Sequence, residues 1–295
     1  MCNFIMMVGI SGSGKSYYCD NLRKENTEIV YLSSDEIREE VFRDVNDQSH
    51  NTEVFNIMNT RTIDALAAGK DVVYDATNLN AKRRMGFLSS IHHIPNVRKI
   101  AVVVATPYEQ CLRNNWMRER KVPDEVMKRQ YMNFQCPYYF EGWDEIRVLR
   151  NSHYAIKYNI VDALKDYHQN NPHHKNTLSS HLWKTGDYVN KKYPSSNELV
   201  TAAYLHDVGK PFCRFEDEGG ISHYNRHENV GAYDALSVYF CSLYTTVLIN
   251  YHMMPIYWKS STSVTKTAAK YRKMWGENMF NDVMALHEAD NASLE

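Results

Sequence analysis

Eight residues near the start of the chain narrow its fold more than any other feature. Gly9-Ile10-Ser11-Gly12-Ser13-Gly14-Lys15-Ser16 is a complete GxxxxGKS phosphate loop, directly after the apolar run Phe4–Val8. The loop, with Gly9, Gly12, Ser13 and Gly14, lets backbone N–H groups close around the β- and γ-phosphates of a nucleoside triphosphate. Lys15 adds a point charge, and the Ser16 hydroxyl can ligate Mg2+. Tyr17–Leu22 supplies the helix whose N-terminus faces the phosphates. Strand, loop and helix in this order commit the N-terminal part of the chain to an α/β fold.

Further short apolar runs follow at Ile29–Leu32, Val72–Tyr74, Ile100–Val104 and Ile146–Leu149, with helical stretches between them. Their hydrophobicity is continuous rather than alternating, which predicts strands buried on both faces of a parallel, doubly wound sheet. Histidines number three in residues 1–150 and eight from 173 onward, so the two halves are chemically different. The change falls near 151–172, a polar segment ending at Pro172. Beyond it the strand pattern vanishes, and Leu178–Val189, Glu198–Leu205, Val230–Leu243 and Phe280–Ala289 read as helices. The expectation is an α/β domain over 1–155 and an all-α bundle over 156–295; a chain of 295 residues can bury two cores.

Lys+Arg (34) and Asp+Glu (35) nearly cancel, so no global basic field exists to grip a long duplex. Any nucleic-acid contact is expected to be local, a few phosphates near an end. The cysteines at 2, 19, 111, 136, 213 and 241 have no CxxC spacing, which fits a reducing, cytoplasmic setting. Met1–Val8 reads as a strand rather than a signal peptide, and no apolar run is long enough for a membrane span.

More residues suited to phosphoryl transfer follow the loop in order. Asp35, in Ser34-Asp35-Glu36-Ile37-Arg38, lies where a carboxylate would meet an acceptor hydroxyl, or else caps a helix. Asp75, in Asp75-Ala76-Thr77-Asn78, ends the third strand at the crevice where α/β ligands bind; it could orient Mg2+ through water or simply form a turn. Arg113, Arg118 and Arg120 suit a lid that neutralises charge on the transferring phosphoryl group, or a solvated face. Together these motifs, with Asp75-Ala76-Thr77-Asn78-Leu79-Asn80 and Val122-Pro123, resemble the P-loop 5′-hydroxyl polynucleotide kinases over about residues 3–150. The resemblance implies Asp35 as general base on a 5′-hydroxyl, Arg38 as a contact to the acceptor's phosphate, and Arg118 or Arg120 on the donor phosphates. Lys82-Arg83-Arg84 adds a basic cluster that favours an anionic strand.

The second half carries His181, His206-Asp207, His227, His252 and Asp290. Imidazole and carboxylate from one adjacent pair can reach a single cation, and ligands from three helices can meet inside a bundle. This series resembles the HD phosphohydrolase superfamily over about residues 165–295. It implies His181, His206, Asp207 and Asp290 as ligands of one metal and His227 and His252 as ligands of a second. Lys210, His223 and His174 are implied as weaker phosphate contacts, His174 from the lead-in Asn171-Pro172-His173-His174. Mn2+, Mg2+, Fe, Co, Ni and Zn all suit such mixed ligation. The chain ends five residues after Asp290, so a short or truncated final helix is expected.

The pair resembles bifunctional end-healing enzymes. It implies ATP (or another nucleoside triphosphate) with Mg2+ at the first site and divalent metal at the second. The implied substrates are RNA or DNA ends bearing 5′-hydroxyl and 2′,3′-cyclic or 3′-phosphate groups, with a separate ligase to seal them. Two other readings stay open: a small-metabolite or nucleoside kinase fused to a nucleotide phosphohydrolase, and a non-catalytic nucleotide-sensing switch.

Overall fold

The computed structural model describes residues 1–47, 49–150, 160–172 and 176–294. Part of the expected linker, 151–159, lies outside the described residues, as does His174. The chain divides into two compact units. The first comprises Met1–Gln130 and Pro137–Asn151, the second Tyr131–Cys136 and Ser152–Glu295.

Along the first part of the chain run β1 (Cys2–Val8), α1 (Lys15–Glu25), β2 (Val30–Ser33), α2 (Ser34–Phe42), α3 (Asn51–Ala67) and β3 (Val72–Asp75). Then come α4 (Ala81–Ser90), β4 (Val97–Ala105), α5 (Tyr108–Trp116), α6 (Asp124–Tyr131), a 3-10 turn at Tyr139–Glu141 and β5 (Glu145–Arg150). The five strands are parallel in the order β2-β3-β1-β4-β5. All five expected runs are strands. Ile5, Met7, Val73, Ile100, Val102 and Val104 pack with Cys19 of α1 on one face. On the other face Phe4 meets Tyr74, Phe87 and Trp143, with ring centroids 6.0, 5.2 and 6.5 Å away. Both faces are covered, so the strands need no alternation. Because β3 and β4 leave β1 on opposite sides, the crevice at the carboxyl end of β1 opens where the sheet reverses direction, and the phosphate loop fills it.

One ion pair is wholly inside this unit. Arg84 donates from Nε and Nη2 to the Glu141 carboxylate at 2.8 and 2.6 Å, and Trp143 Nε1 donates to the same group at 3.0 Å. Arg84 Nη1 also donates to Asn78 O at 2.8 Å, holding the loop that follows β3. The cluster Lys82-Arg83-Arg84 is therefore split. Lys82 and Arg83 are exposed and Arg84 is 1% exposed, because a buried guanidinium needs its carboxylate. Replacing Arg84 by Met strands Glu141, and urea denaturation is expected to show a loss of roughly 3–5 kcal/mol. The double variant Arg84→Met/Glu141→Leu should recover much of it; equal loss in both variants would show that the charge pairing is not the cause.

The second part contains α7 (Ile160–Ala163), α8 (Leu178–Lys192), α9 (Asn197–Leu205), α10 (Lys210–Cys213), a hairpin of β6 (Phe215–Glu216) and β7 (Ser222–His223), and α11 (His227–Ser237). It continues with α12 (Leu243–Tyr251), α13 (Met254–Lys259), α14 (Val264–Trp275) and α15 (Glu277–Ala292). Helices α8, α9, α11, α12 and α15 pack on one another. The helix expected over Val230–Leu243 breaks: Phe240 adopts φ 54°, Cys241 N–H bonds back to Ala235 O, and Ser242 Oγ caps α12 by accepting from Thr245 N–H. Helix α12 has no polar face, since Thr245 through Tyr251 are all buried, and thus no 3.6-residue stripe. Helix α14 is exposed on one side, while Ala268, Tyr271, Met274 and Trp275 form the stripe that turns inward. Among the described residues no helix is long and apolar enough to cross a membrane.

Candidate functional site

The phosphate loop closes tightly. Gly12 has φ +77°, and a Cβ there would stand 2.2 Å from Cys111 O, so the position tolerates only glycine. Helix α5 and the residues before it brace the loop: Asn114 Nδ2 donates to Gly12 O at 2.8 Å, and Thr106 Oγ1, ahead of the helix, donates to Ser13 O at 2.7 Å. Lys15, the first residue of α1, turns back and donates from Nζ to Gly9 O and Ile10 O at 3.0 and 2.9 Å. Burial lowers its pKa against the pull of Asp75. Asp75 ends β3 and accepts from Tyr31 Oη at 2.8 Å; burial raises it above the usual carboxylate range. Ser16 is exposed at the loop's mouth.

Ser33, not Asp35, caps α2: its hydroxyl accepts from the backbone N–H of Asp35 and Glu36. The Asp35 side chain is thereby left for other partners. Its Oδ1 pairs with Arg38 Nη1 at 3.3 Å and its Oδ2 with Arg120 Nη1 at 2.8 Å. Arg38 is 5% exposed and also donates to Ser34 O, Asp47 O and Asn51 Oδ1. Helix α5 stops at Trp116, so Arg118 and Arg120 are not at helical spacing; they sit on the turn after it. Arg118 is exposed and lies near enough for its charge to lower Lys15.

In the helical unit, two groups of ligand atoms converge among the described residues: His181, His206, Asp207 and Asp290, and Asp207, His227 and His252. His206 and Asp207 lie on the turn that follows α9, which ends at Leu205 as expected. That turn packs so closely on α11 that a Cβ at Gly209 would stand 2.2 Å from His227 O. The Asp207 carboxylate serves both groups. Oδ2 lies 3.4 Å from Nε2 of both His181 and His206, while Oδ1 lies 2.9 Å from His227 Nε2 and 3.6 Å from His252 Nε2. Asp290 Oδ1 stands 3.1 Å from His181 Nε2 and 3.5 Å from His206 Nε2.

The ring orientations suit cations. Nδ1 of His206, His227 and His252 each stands 2.7–2.8 Å from a backbone carbonyl, of Ala203, Tyr224 and Ile249 respectively. A carbonyl only accepts, so each Nδ1 carries a proton and each Nε2 is turned into the cluster. Yet Nε2 faces Nε2 at 3.1 Å between His181 and His206, and at 3.2 Å between His227 and His252. Lone pairs so opposed need a proton or a cation between them. The donor set, imidazole nitrogens with a shared carboxylate, fits two divalent ions held with Asp207 between them.

Burial alone would lower His206, but the carboxylates of Asp207 and Asp290 outweigh it and hold its imidazole at about 10. His181 is likewise raised and Asp207 held well below the usual carboxylate range. At pH 7 the metal-free cluster thus carries protons on histidine and none on Asp207. Divalent ions must displace them, so metal affinity should rise as pH climbs from 6 towards 10. Titration calorimetry in buffers of different ionisation enthalpy should report proton release on Zn2+ or Mn2+ addition; buffer-independent heats would contradict these protonation states.

Residues 4–137 match the AAA domain family. The L-seryl-tRNA(Sec) kinase of Methanococcus maripaludis is 27% identical over 202 residues, which is 66% of this chain and 74% of that protein. Among solved structures, a chain of the Pnkp1/Rnl/Hen1 RNA repair complex is 16% identical with a TM-score of 0.40, over 45% of this chain and 43% of that one. A fungal RNA kinase is 14% identical with a TM-score of 0.39, over 69% and 94% of the respective chains. The chain spans less than half the length of the repair-complex chain it resembles. The N-terminal unit has a parallel-sheet α/β P-loop fold.

Several contacts in and beyond this unit carry no motif. Gln130 of α6 accepts the Ser11 N–H at 2.7 Å, reaching the phosphate loop across 119 residues. Gln169 Oε1 accepts from Lys210 Nζ at 2.8 Å, and that ammonium also lies 2.5 Å from Asp207 Oδ2. Lone Gln, Asn and Tyr residues have no spacing that marks them, so only the tertiary contact reveals them. Lys210 is thus at the cluster. His223 sits instead on the hairpin, half exposed, with Nε2 2.8 Å from Asp217 and its ring stacked on Phe215.

Proposed function

We propose that this chain heals nucleic-acid ends, most simply RNA ends. The kinase domain would phosphorylate 5′-hydroxyls with ATP and Mg2+, and the helical unit would hydrolyse 2′,3′-cyclic or 3′-phosphates. The observation that carries the reading is the presence on one chain of a phosphate loop facing a carboxylate between two arginines, and of a His/Asp cluster arranged around one shared carboxylate. Ends with 5′-hydroxyl and 2′,3′-cyclic phosphate arise together when RNA is cut by its own 2′-hydroxyl, so one enzyme bearing both activities prepares both sides of a break for a separate ligase.

In this reading the phosphate-loop amides and Lys15 hold the donor phosphates, Ser16 and Asp75 face Mg2+, and Asp35 takes the proton of the attacking hydroxyl. Arg38 fixes Asp35 from below and Arg120 from the lid; Arg118 faces the phosphoryl group. In the helical unit His181, His206, Asp207 and Asp290 would hold one ion and His227, His252 and Asp207 the other. When bound, such ions make hydroxide available near neutral pH and offset charge on phosphoryl oxygens. Lys210 holds the shared carboxylate in place.

A second reading has support from the Methanococcus maripaludis relative, a kinase named for L-seryl-tRNA(Sec). There the acceptor hydroxyl would belong to a group carried on RNA rather than to a 5′ end. Labelled ATP offered with 5′-hydroxyl oligonucleotides, nucleosides and seryl-tRNA decides between them. Transfer to oligonucleotides supports end healing; transfer to seryl-tRNA alone, or to nucleosides alone, replaces it.

A further inference from the structure

Trp116 closes α5 with its side chain 65% exposed, and Met117 beside it is 88% exposed. Helix α5 turns two faces to different tasks. Cys111 and Asn114 press on the phosphate loop. Glu109, Leu112, Arg113 and Trp116, at i, i+3, i+4 and i+7, form the opposite stripe and, with Met117, an open and largely apolar surface. Nothing in the transfer of a phosphoryl group requires an open indole there.

Cations border it, with Glu109 as the carboxylate on the same stripe. Lys121 Nζ stands 5.1 Å from the Trp116 ring centroid, and Arg113 and Arg118 are exposed nearby in sequence. The residue before Lys121 is Arg120, whose guanidinium reaches Asp35 at 2.8 Å. A short path therefore runs from the candidate base, through Arg120 and Lys121, to an exposed aromatic face. Single-stranded nucleic acid is recognised by this combination, cations for the backbone and an aromatic ring for a base. Three apolar side chains, Leu112, Trp116 and Met117, bordered by Arg113, Lys121 and the single carboxylate of Glu109, are too small a patch for a stable protein partner, which needs far more buried area.

We propose that Trp116 is a stacking platform for a nucleobase of the acceptor strand, with Arg113 and Lys121 meeting its phosphates. The inference rests on the polynucleotide-acceptor reading and makes it specific: the kinase domain grips a strand beyond its terminal hydroxyl. Base stacking on an aromatic ring is sequence-tolerant, so the platform would accept any base.

The full chain should be assayed with ATP and 5′-hydroxyl oligoribonucleotides and oligodeoxyribonucleotides, as wild type, Trp116→Ala and Trp116→Phe. Trp116→Ala should raise the oligonucleotide KM about tenfold, as loss of one stacked base implies. Trp116→Phe should restore most of it, and the KM for ATP should stay put in both. The two sugar types report which strand the platform prefers. An unchanged oligonucleotide KM in Trp116→Ala overturns the proposal, and a raised KM for ATP overturns it in favour of the donor's adenine. Fluorescence anisotropy of a 3′-labelled oligonucleotide separates the two levels of the argument. If wild type transfers phosphate only to nucleosides yet binds the oligonucleotide through Trp116, the acceptor reading fails and the surface stands; if binding is the same in Trp116→Ala, the surface falls as well.

Discussion

Asp207→Ala should empty both halves of the metal cluster at once. Its two carboxylate oxygens divide between the histidine pairs, so removing it strips a ligand from each group and leaves Lys210 buried beside the gap. Losing an outer partner of a ligand costs roughly 10–100-fold in metal affinity, and losing a carboxylate common to two ions should exceed that. Elemental analysis of the purified variant is expected to fall from two ions per chain towards none, with phosphoesterase activity lost. His252→Ala, which touches one group only, should fall from two towards one. Both variants should keep ATP-dependent kinase activity, since the two sites share no residue. Two ions retained in Asp207→Ala would refute the shared-carboxylate arrangement; no bound metal in the wild type would remove the phosphoesterase reading of this unit and leave the kinase reading intact.

Asp35→Asn should lower kinase turnover by roughly a hundred- to ten-thousandfold, the range for loss of a general base, while 2′,3′-cyclic phosphate hydrolysis continues. Lys15→Ala should silence the kinase at least as thoroughly, because Lys15 is the buried ammonium at the phosphate loop. Asp35 has a second role in the geometry: it neutralises Arg38 and Arg120 together. Arg120→Ala removes one of those partners but keeps the carboxylate, so it separates the two functions. If Asp35→Asn turns over like wild type while Arg120→Ala fails, Asp35 organises the arginines and the proton goes elsewhere.

The parallel sheet was legible in the sequence because strands buried on both faces must be apolar at every position, and Phe4–Val8, Val72–Tyr74 and Ile100–Val104 are. The phosphate loop was legible because its geometry demands small residues, a lysine and a hydroxyl at fixed spacing. In the helical half, α8 was legible from its amphipathic stripe, whereas α12, buried on all sides, has no stripe to read. Composition and spacing also named the histidines and aspartates, since few residue types offer a metal a lone pair.

What the chain order could not supply was mutual position. That the turn bearing His206 and Asp207 seats against α11 depends on Gly209, a contact with His227 between residues distant along the chain. Asp207 divides its two oxygens between two histidine pairs only because α8, α9, α11, α12 and α15 pack together. Arg84 looked like part of a basic surface and is an interior ion pair, because Glu141, 57 residues later, folds onto it. Asp35 could have been a cap or a base by sequence, and Ser33 took the cap. Local propensity and periodicity act over a few residues and set which elements form; which side chains face one another is settled by burial across the whole domain, and that information exists only once the elements are packed.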